Sequence, residues 1–338
     1  MNPPRKARER IFWALALALP VMAQAPRAGG KAGATRAWPI QILRDTFHVT
    51  ADTPSEVPLE RLIQGCARRD CIPSIDQPRF VAASQATYLK DADQVLGLSV
   101  EGVHRAYPTS ILVHHEIVND TLGTQPVAIT FCPLCGSGMA YSRVVDGKVT
   151  SFGVSGLLYD SDLVMYDRAT GTLWPQILGR GILGRMKGRV LTSLPVAHMD
   201  WRAWREQHPD TQVLSTETGF PFTYGGDPYG NYADQPGTLF PITHEDDRLH
   251  AKTVVFGLNM NGRAVALTEA FLKAHPATEV ELAGRKVSIL RQSGGTVVAR
   301  DTAQGRDLEV HRLFWFAWAS AHPGTLVKSL PDEKKGHR

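Results

Sequence analysis

The chain has no phosphate-binding glycine loop, no His-Glu-x-x-His helix and no Gly-x-Ser-x-Gly elbow. The common sequence patterns for phosphate, zinc-protease and serine-hydrolase chemistry are therefore missing. It also lacks a sustained excess of charge. Residues 1–23 hold four of the 37 basic and one of the 33 acidic side chains, so without them the formal charge falls from +4 to +1. The charges that remain are interspersed, which excludes a nucleic-acid-binding surface built on a basic field. Cysteine is scarce. Four residues allow three pairings, and spacing alone does not choose among them.

Long apolar runs are nearly absent too. The one at 11–23 (IFWALALALPVMA) follows Arg5, Lys6, Arg8 and Arg10 and is too short to span a membrane comfortably. With Ala23 and Ala25 after it, residues 1–25 read as an export signal, cut after Ala23 because Pro26 disfavours cleavage after Ala25. The rival reading is an uncleaved N-terminal anchor, the one membrane attachment expected. Residues 26–38 form a flexible linker. A periplasmic or otherwise extracytoplasmic location follows, and in that oxidising setting a local Cys66–Cys71 disulfide is the expected state of that pair.

What is present is a partial repeat. VLGLSVEGVHRAY (95–107) aligns with VFGLNMNGRAVAL (255–267), and PVAIT (126–130) with KVSIL (286–290). DWRAWREQHPDTQVL (200–214) likewise matches FWFAWASAHPGTLVK (314–328). Where the first copy runs FCPLCGSGMAYSR (131–143), the second runs RQSGGTVVAR (291–300), shorter and without cysteine. The first copy also carries an insertion at about 151–179. Short strand-like runs dominate, and Asp146-Gly147 marks a two-residue hairpin. One helix is expected at 108–118, because Pro108 suits a first helical position and Ile111, His115 and Val118 share a face. The fold class is a β-rich α+β structure of two related modules from an internal duplication, with short helices. The expected division is an N-terminal segment (39–90), a CPLCG-containing module (91–215), a Gly/Pro/Tyr-rich connecting loop (216–250), a degenerate second module (251–330) and a tail (331–338).

Cys132-Pro133-Leu134-Cys135-Gly136 is the most specific signal. Its spacing matches the knuckle of rubredoxin-like and zinc-ribbon sites, in which two thiolates point at one centre and glycine closes the turn in the left-handed region. A second knuckle is lacking, because Cys66-x4-Cys71 has the wrong spacing, so the remaining ligands must come from elsewhere. His115 is the expected third ligand, on the inward face of the helix that feeds the Cys132 strand. A buried structural histidine is the competing reading, since His275 occupies the matching place in the copy. Three protein ligands, Cys132, Cys135 and His115, would leave an open position. Thiolates with imidazole suit zinc and cuprous copper, and export favours copper. Thiol–disulfide exchange comes second, because that chemistry usually sets the first cysteine at a helix N-terminus, and an inert bridge third. Glu116, Asp162 and Asp167 are the candidate catalytic carboxylates, with turn formation as their plainer role. The partner is a small molecule or a metal-delivery protein. The alternative to a metal or redox centre is a non-enzymatic binding or assembly module.

Four ordered motifs also carry a family resemblance: G-x-x-R-A-Y-P (102–108), H-E-I-V-N-D (115–120), F-C-P-L-C-G (131–136) and S-G-L-L-Y-D-S-D-L-V-M-Y-D-R (155–168). Over roughly 60–330 the chain resembles a bacterial and archaeal family known as domain of unknown function 3179. The resemblance implies an exported or membrane-associated protein and supplies no activity. The chain departs from that pattern at Cys66 and Cys71, where the family has a Gly-rich approach to an Asp-Gly-Ile-Pro turn, so this pair reads as a local addition.

Overall fold

A computed structural model of the chain describes residues 41–50 and 52–333. The expected signal segment, the linker at 26–38 and the end of the tail lie outside the described residues. Strands dominate and the helices are short, the longest described being Trp201–Gln207 and Trp315–Ala321. The strands form five sheets of four or five strands and one two-stranded ribbon, in a propeller-like arrangement of five blades.

Blade 1 is built on the hairpin Gln94–Val100/Val103–Pro108, flanked by Ala197–Asp200 and Gln212–Leu214, with Phe80–Ala82 at the edge. Blade 2 holds Ile117–Leu122, Gln125–Cys132, Ser137–Ser142 and Ser193–Leu194. Blade 3 is the inserted segment: Phe152–Tyr159, Asp162–Asp167 and Leu173–Pro175, with Leu62–Gln64 added at its edge. Blade 4 comprises Val254–Met260, Arg263–Thr268, His311–Phe314 and Leu326–Lys328. Blade 5 is the four-stranded meander Ala277–Leu282, Arg285–Arg291, Val297–Asp301 and Arg306–Leu308.

The β-rich class stands, but the two-module picture gives way to five sheets. The insertion supplies three of blade 3's four strands, and the chain then returns to blades 2 and 1 through Ser193–Leu194, Ala197–Asp200 and Gln212–Leu214. The core follows the same plan. One apolar cluster joins Cys132, Cys135 and Met139 of blade 2 and its turn to Trp174 of blade 3, to Leu313 and Phe314 of blade 4 and to Trp315 of the helix that follows. Locally, blades 1 and 4 match closely. In each, a strand leading out of the central hairpin is paired in parallel with a strand that follows a Trp-containing helix. Gly97 faces the Trp204 ring, and Gly257 faces the Trp318 ring. Each indole N–H donates to a threonine hydroxyl seven residues on, Thr211 at 2.9 Å and Thr325 at 3.0 Å.

The helix expected at 108–118 is a single turn, Thr109–Leu112. Glu116 takes a left-handed φ of 57°, which reverses the chain, and Ile117 already begins a strand. The apolar spacing that suggested a longer helix belongs half to that turn and half to a buried strand. The Asp146-Gly147 turn forms as expected, with φ of 47° and 73°, but the strands it joins are two residues each. The longer neighbours on either side of this ribbon belong to blades 2 and 3.

Candidate metal centre

The Pro133–Gly136 turn lies where blade 2 reverses between Gln125–Cys132 and Ser137–Ser142. Cys135 N–H donates to Cys132 O at 3.2 Å, and Gly136 adopts φ 60°, the left-handed geometry expected of the last knuckle position. A side chain at Gly136 would press on the Phe314 ring at 3.0 Å, while Phe314 N–H donates to Cys135 O at 2.8 Å. Blade 4 thus backs the turn on one side.

Blade 3 closes it on another. Asp160 and Ser161 form the two-residue turn between Phe152–Tyr159 and Asp162–Asp167, both with left-handed φ, 51° and 64°. This tip sets Ser161 O 3.5 Å from Cys135 Sγ and 4.0 Å from Cys132 Sγ. Asp162, the next residue, accepts from Cys135 Sγ at 3.7 Å through Oδ1 and from Ile177 N–H at 2.9 Å through Oδ2. Sγ of Cys132, Sγ of Cys135 and a carboxylate oxygen of Asp162 lie within 4.8 Å of one another, all three residues buried. Both thiols are free, whereas Cys66 and Cys71 are joined in a disulfide, as the sequence suggested.

Burial governs the electrostatics. It pushes the Cys132 thiol up and the Cys135 thiol well above its ordinary value, each also opposed by the charge of Asp162. Burial raises the Asp162 carboxyl to about 7. Glu116 is raised to about 8, first by burial and then by the neighbouring Asp162 charge. At neutral pH the two thiols and Glu116 therefore hold their protons, while Asp162 stands near the midpoint of its titration. Two tyrosines of the connecting loop border it. Tyr229 stands beside Glu116 and Cys132, and both raise its hydroxyl further after burial itself. Tyr232 lies by both thiols, and its buried hydroxyl meets no partner within hydrogen-bond criteria among the described residues, with the Leu239 backbone nearby. The loop is tied down where Ser161 Oγ donates to Phe240 O at 2.8 Å.

The expected Cys-Cys-His set is not what converges. His115 is buried, but Nδ1 meets Pro73 O at 2.7 Å and Nε2 meets the Tyr224 hydroxyl at 2.6 Å. Both ring nitrogens are spent on the loops that cover it, and burial lowers its pKa to about 4. Past the left-handed turn at Glu116, it is the Glu116 carboxyl that lies near Cys132 and Asp162. Asp167 ends the strand that Asp162 begins, about 16 Å away at strand rise. There it accepts from Thr170 N–H and the Thr170 hydroxyl, each at 2.7 Å, and from Trp174 Nε1 at 3.1 Å. Those bonds make it a turn-forming residue. Of the three candidate carboxylates, the structure gathers Asp162 and Glu116 at the thiols and leaves Asp167 apart. Sequence reasoning missed Tyr229 and Tyr232; the one available signal was the tyrosine content of their loop.

No curated protein and no solved structure matches the chain. A family model, described as Protein of unknown function (DUF3179), matches residues 69–313, a span that includes the knuckle, Glu116, Asp162 and both tyrosines. By that match over most of its length, the chain belongs to the DUF3179 family.

Proposed function

We propose that the protein is an exported metalloprotein whose ion is held by Cys132, Cys135 and Asp162, with a fourth position open toward Glu116, Tyr229 and Tyr232. The observation that carries this reading is the convergence of two free thiols and one carboxylate oxygen within 4.8 Å in the buried interior. Tetrahedral zinc with bonds of about 2.0–2.3 Å needs donors spaced at about 3.3–3.8 Å, so modest closure around an ion suffices. Exchange of the carboxylate for the expected imidazole alters the preferred metal. Cuprous copper favours soft donors alone, whereas zinc accepts mixed sulfur and oxygen sets, so zinc is the favoured ion. An ion of this kind supplies Lewis acidity at its open position.

Thiol–disulfide exchange is disfavoured by the same geometry. The pair sits in a strand-to-strand turn, and both thiols are raised and buried, the reverse of a reactive thiolate. Export is supported by the basic and apolar N-terminal segment and by the Cys66–Cys71 disulfide, which requires an oxidising compartment. The matched strand pairing and Gly–Trp contacts of blades 1 and 4 support an internal duplication. On that view blade 3 and the knuckle, the two parts without a counterpart in the second copy, are the parts that meet at the centre.

Metal analysis of protein purified without chelator tests the proposal. We expect close to one zinc per chain, lost in Cys132→Ser and Asp162→Asn and kept in His115→Ala. A metal-free wild type with Cys132 and Cys135 oxidised to a bridge would replace the proposal with a non-enzymatic scaffold. Copper retained in Asp162→Asn would keep a metal site but remove Asp162 from it.

A further inference from the structure

A pocket of about 310 Å³ opens beside the centre, and Asp162 forms part of its wall. It lies between the tip of blade 3, the chain at Ile177 and Leu178, Thr243, and the end of the Trp315–Ala321 helix. Its volume is at the lower end of those that hold small organic molecules.

The polar groups around the pocket differ in what they have left to offer. Asp160 is fully engaged: Oδ1 accepts from Thr243 N–H and Oγ1, each at 2.7 Å, and Oδ2 accepts from Arg61 Nη2 at 2.5 Å. Asp162 is engaged with Ile177 and Cys135. The Ser320 hydroxyl donates to His244 O at 3.1 Å. Arg61 is different. It lies over the Tyr159 ring at 4.5 Å and bonds Asp160 and Thr243 through Nη2 alone. Nε is buried without an acceptor, and Nη1 has none among the described residues. Of a guanidinium's five N–H donors, the two on Nη2 are spent here and the one on Nε is enclosed, which leaves the two on Nη1 for a ligand. The two carboxylates in the wall are hydrogen-bonded while Arg61 keeps free N–H groups, so the partner that Arg61 lacks is an acceptor. The rest of the lining is largely apolar, from Ile177, Leu178, Ala317 and Ala321.

We infer that this pocket binds a small organic carboxylate, with its carboxylate on Arg61 and its apolar body against Tyr159 and the Trp315–Ala321 helix, next to Asp162. The assignment rests on the metal reading only for its purpose, as the substrate subsite of that centre. A charge-assisted hydrogen bond from Nη1 would hold one carboxylate oxygen, and the apolar walls favour an organic acid over inorganic phosphate.

Benzoate is a suitable probe, with benzamide as its neutral counterpart and phosphate as the inorganic one. Calorimetric titration of the full-length purified protein should show one saturable benzoate site. Benzamide and phosphate should bind at least tenfold more weakly. Arg61→Gln should weaken benzoate at least tenfold. Because that variant also disturbs the Arg61–Asp160 pair, Ala321→Phe gives an independent check: it fills the pocket, leaves the ion pair alone and should abolish binding. Benzoate that fails to bind, binds no better than benzamide, or is indifferent to Ala321→Phe would overturn the inference. Zinc is measured on the same samples. Zinc-replete protein that ignores benzoate sinks the pocket alone, and zinc-free protein that binds benzoate sinks the metal reading alone.

Discussion

Asp162 and Glu116 bring two buried acids to one place, and their protonation ties stability to pH in opposite ways with and without a metal. Burial raises Asp162 to about 7 and Glu116 to about 8, against ordinary values of 3.8 and 4.5. A folded-state pKa above the unfolded one means that the folded protein holds extra protons in that window. Stability from these groups is complete below their ordinary values and is lost as pH rises through 7 and 8. His115, lowered to about 4, acts in the other direction, but its effect is confined below its ordinary value of 6.5. Between pH 6.5 and 8 the carboxyls therefore decide the slope. Metal-free protein should lose stability across this interval by up to about 1.4 kcal/mol per pH unit for each proton released. Glu116→Gln should flatten the slope. Zinc-loaded protein should gain stability over the same interval, because Cys132, Cys135 and Asp162 must give up protons to bind. Denaturant midpoints at pH 6.5 and 8, with and without zinc, measure both slopes; parallel slopes would remove the ion from the carboxylate site.

At the scale of elements, what the sequence revealed depended on how local each determinant is. The knuckle was legible because its turn is set within five residues and its glycine has a conformational reason to be there. The matched hairpins of blades 1 and 4 were legible because their repeat keeps register across Gly97 and Gly257. Asp162 was visible as a candidate carboxylate but its place beside the thiols was not, since only the three-dimensional crossing of blade 3 over blade 2 turns a strand-end carboxylate into a neighbour of two thiols. The surroundings of His115 were hidden for a related reason. Its two partners, Pro73 and Tyr224, lie 42 and 109 residues away in sequence, beyond any pattern in the helix it was assigned to. The Gly–Trp contact gives a direct test of the packing that unites the repeats. A methyl group at Gly97 would overlap the Trp204 ring, and one at Gly257 the Trp318 ring. The indoles are buried and hydrogen-bonded, so they cannot swing aside without exposing Thr211 or Thr325. Gly97→Ala and Gly257→Ala should each destabilise by about 1–3 kcal/mol, read from urea unfolding. A loss at one position alone would show that the blades do not share this packing.

For the molecule as a whole, the segment before blade 1 works as a clasp on blade 3. Leu62–Gln64 pairs with Leu157, Leu158 and Tyr159, and just past it the chain crosses the irregularity between Val154 and Leu157. Gly65 and Cys66 N–H both reach Gly156 O, at 3.0 and 3.2 Å, and Asp70 N–H reaches Val154 O at 2.8 Å. Gly156 is left-handed there, φ 83°, and a side chain would meet Arg68 O at 2.8 Å. The Cys66–Cys71 disulfide closes this crossing, and Arg61 of the pocket sits just upstream on the same clasp. The thiol centre, by contrast, is held by blades 2, 3 and 4 and by the connecting loop. Loss of the disulfide should thus separate the two sites. The double variant Cys66→Ser/Cys71→Ser removes a five-residue cross-link, worth about 2 kcal/mol of stability by chain entropy. It should keep its zinc in full, with two titratable thiols on unfolding as in the wild type, while benzoate affinity at Arg61 falls severalfold. Zinc lost together with the disulfide would show that the clasp supports the knuckle as well, and the two pairs of cysteines would then have to be read as one system.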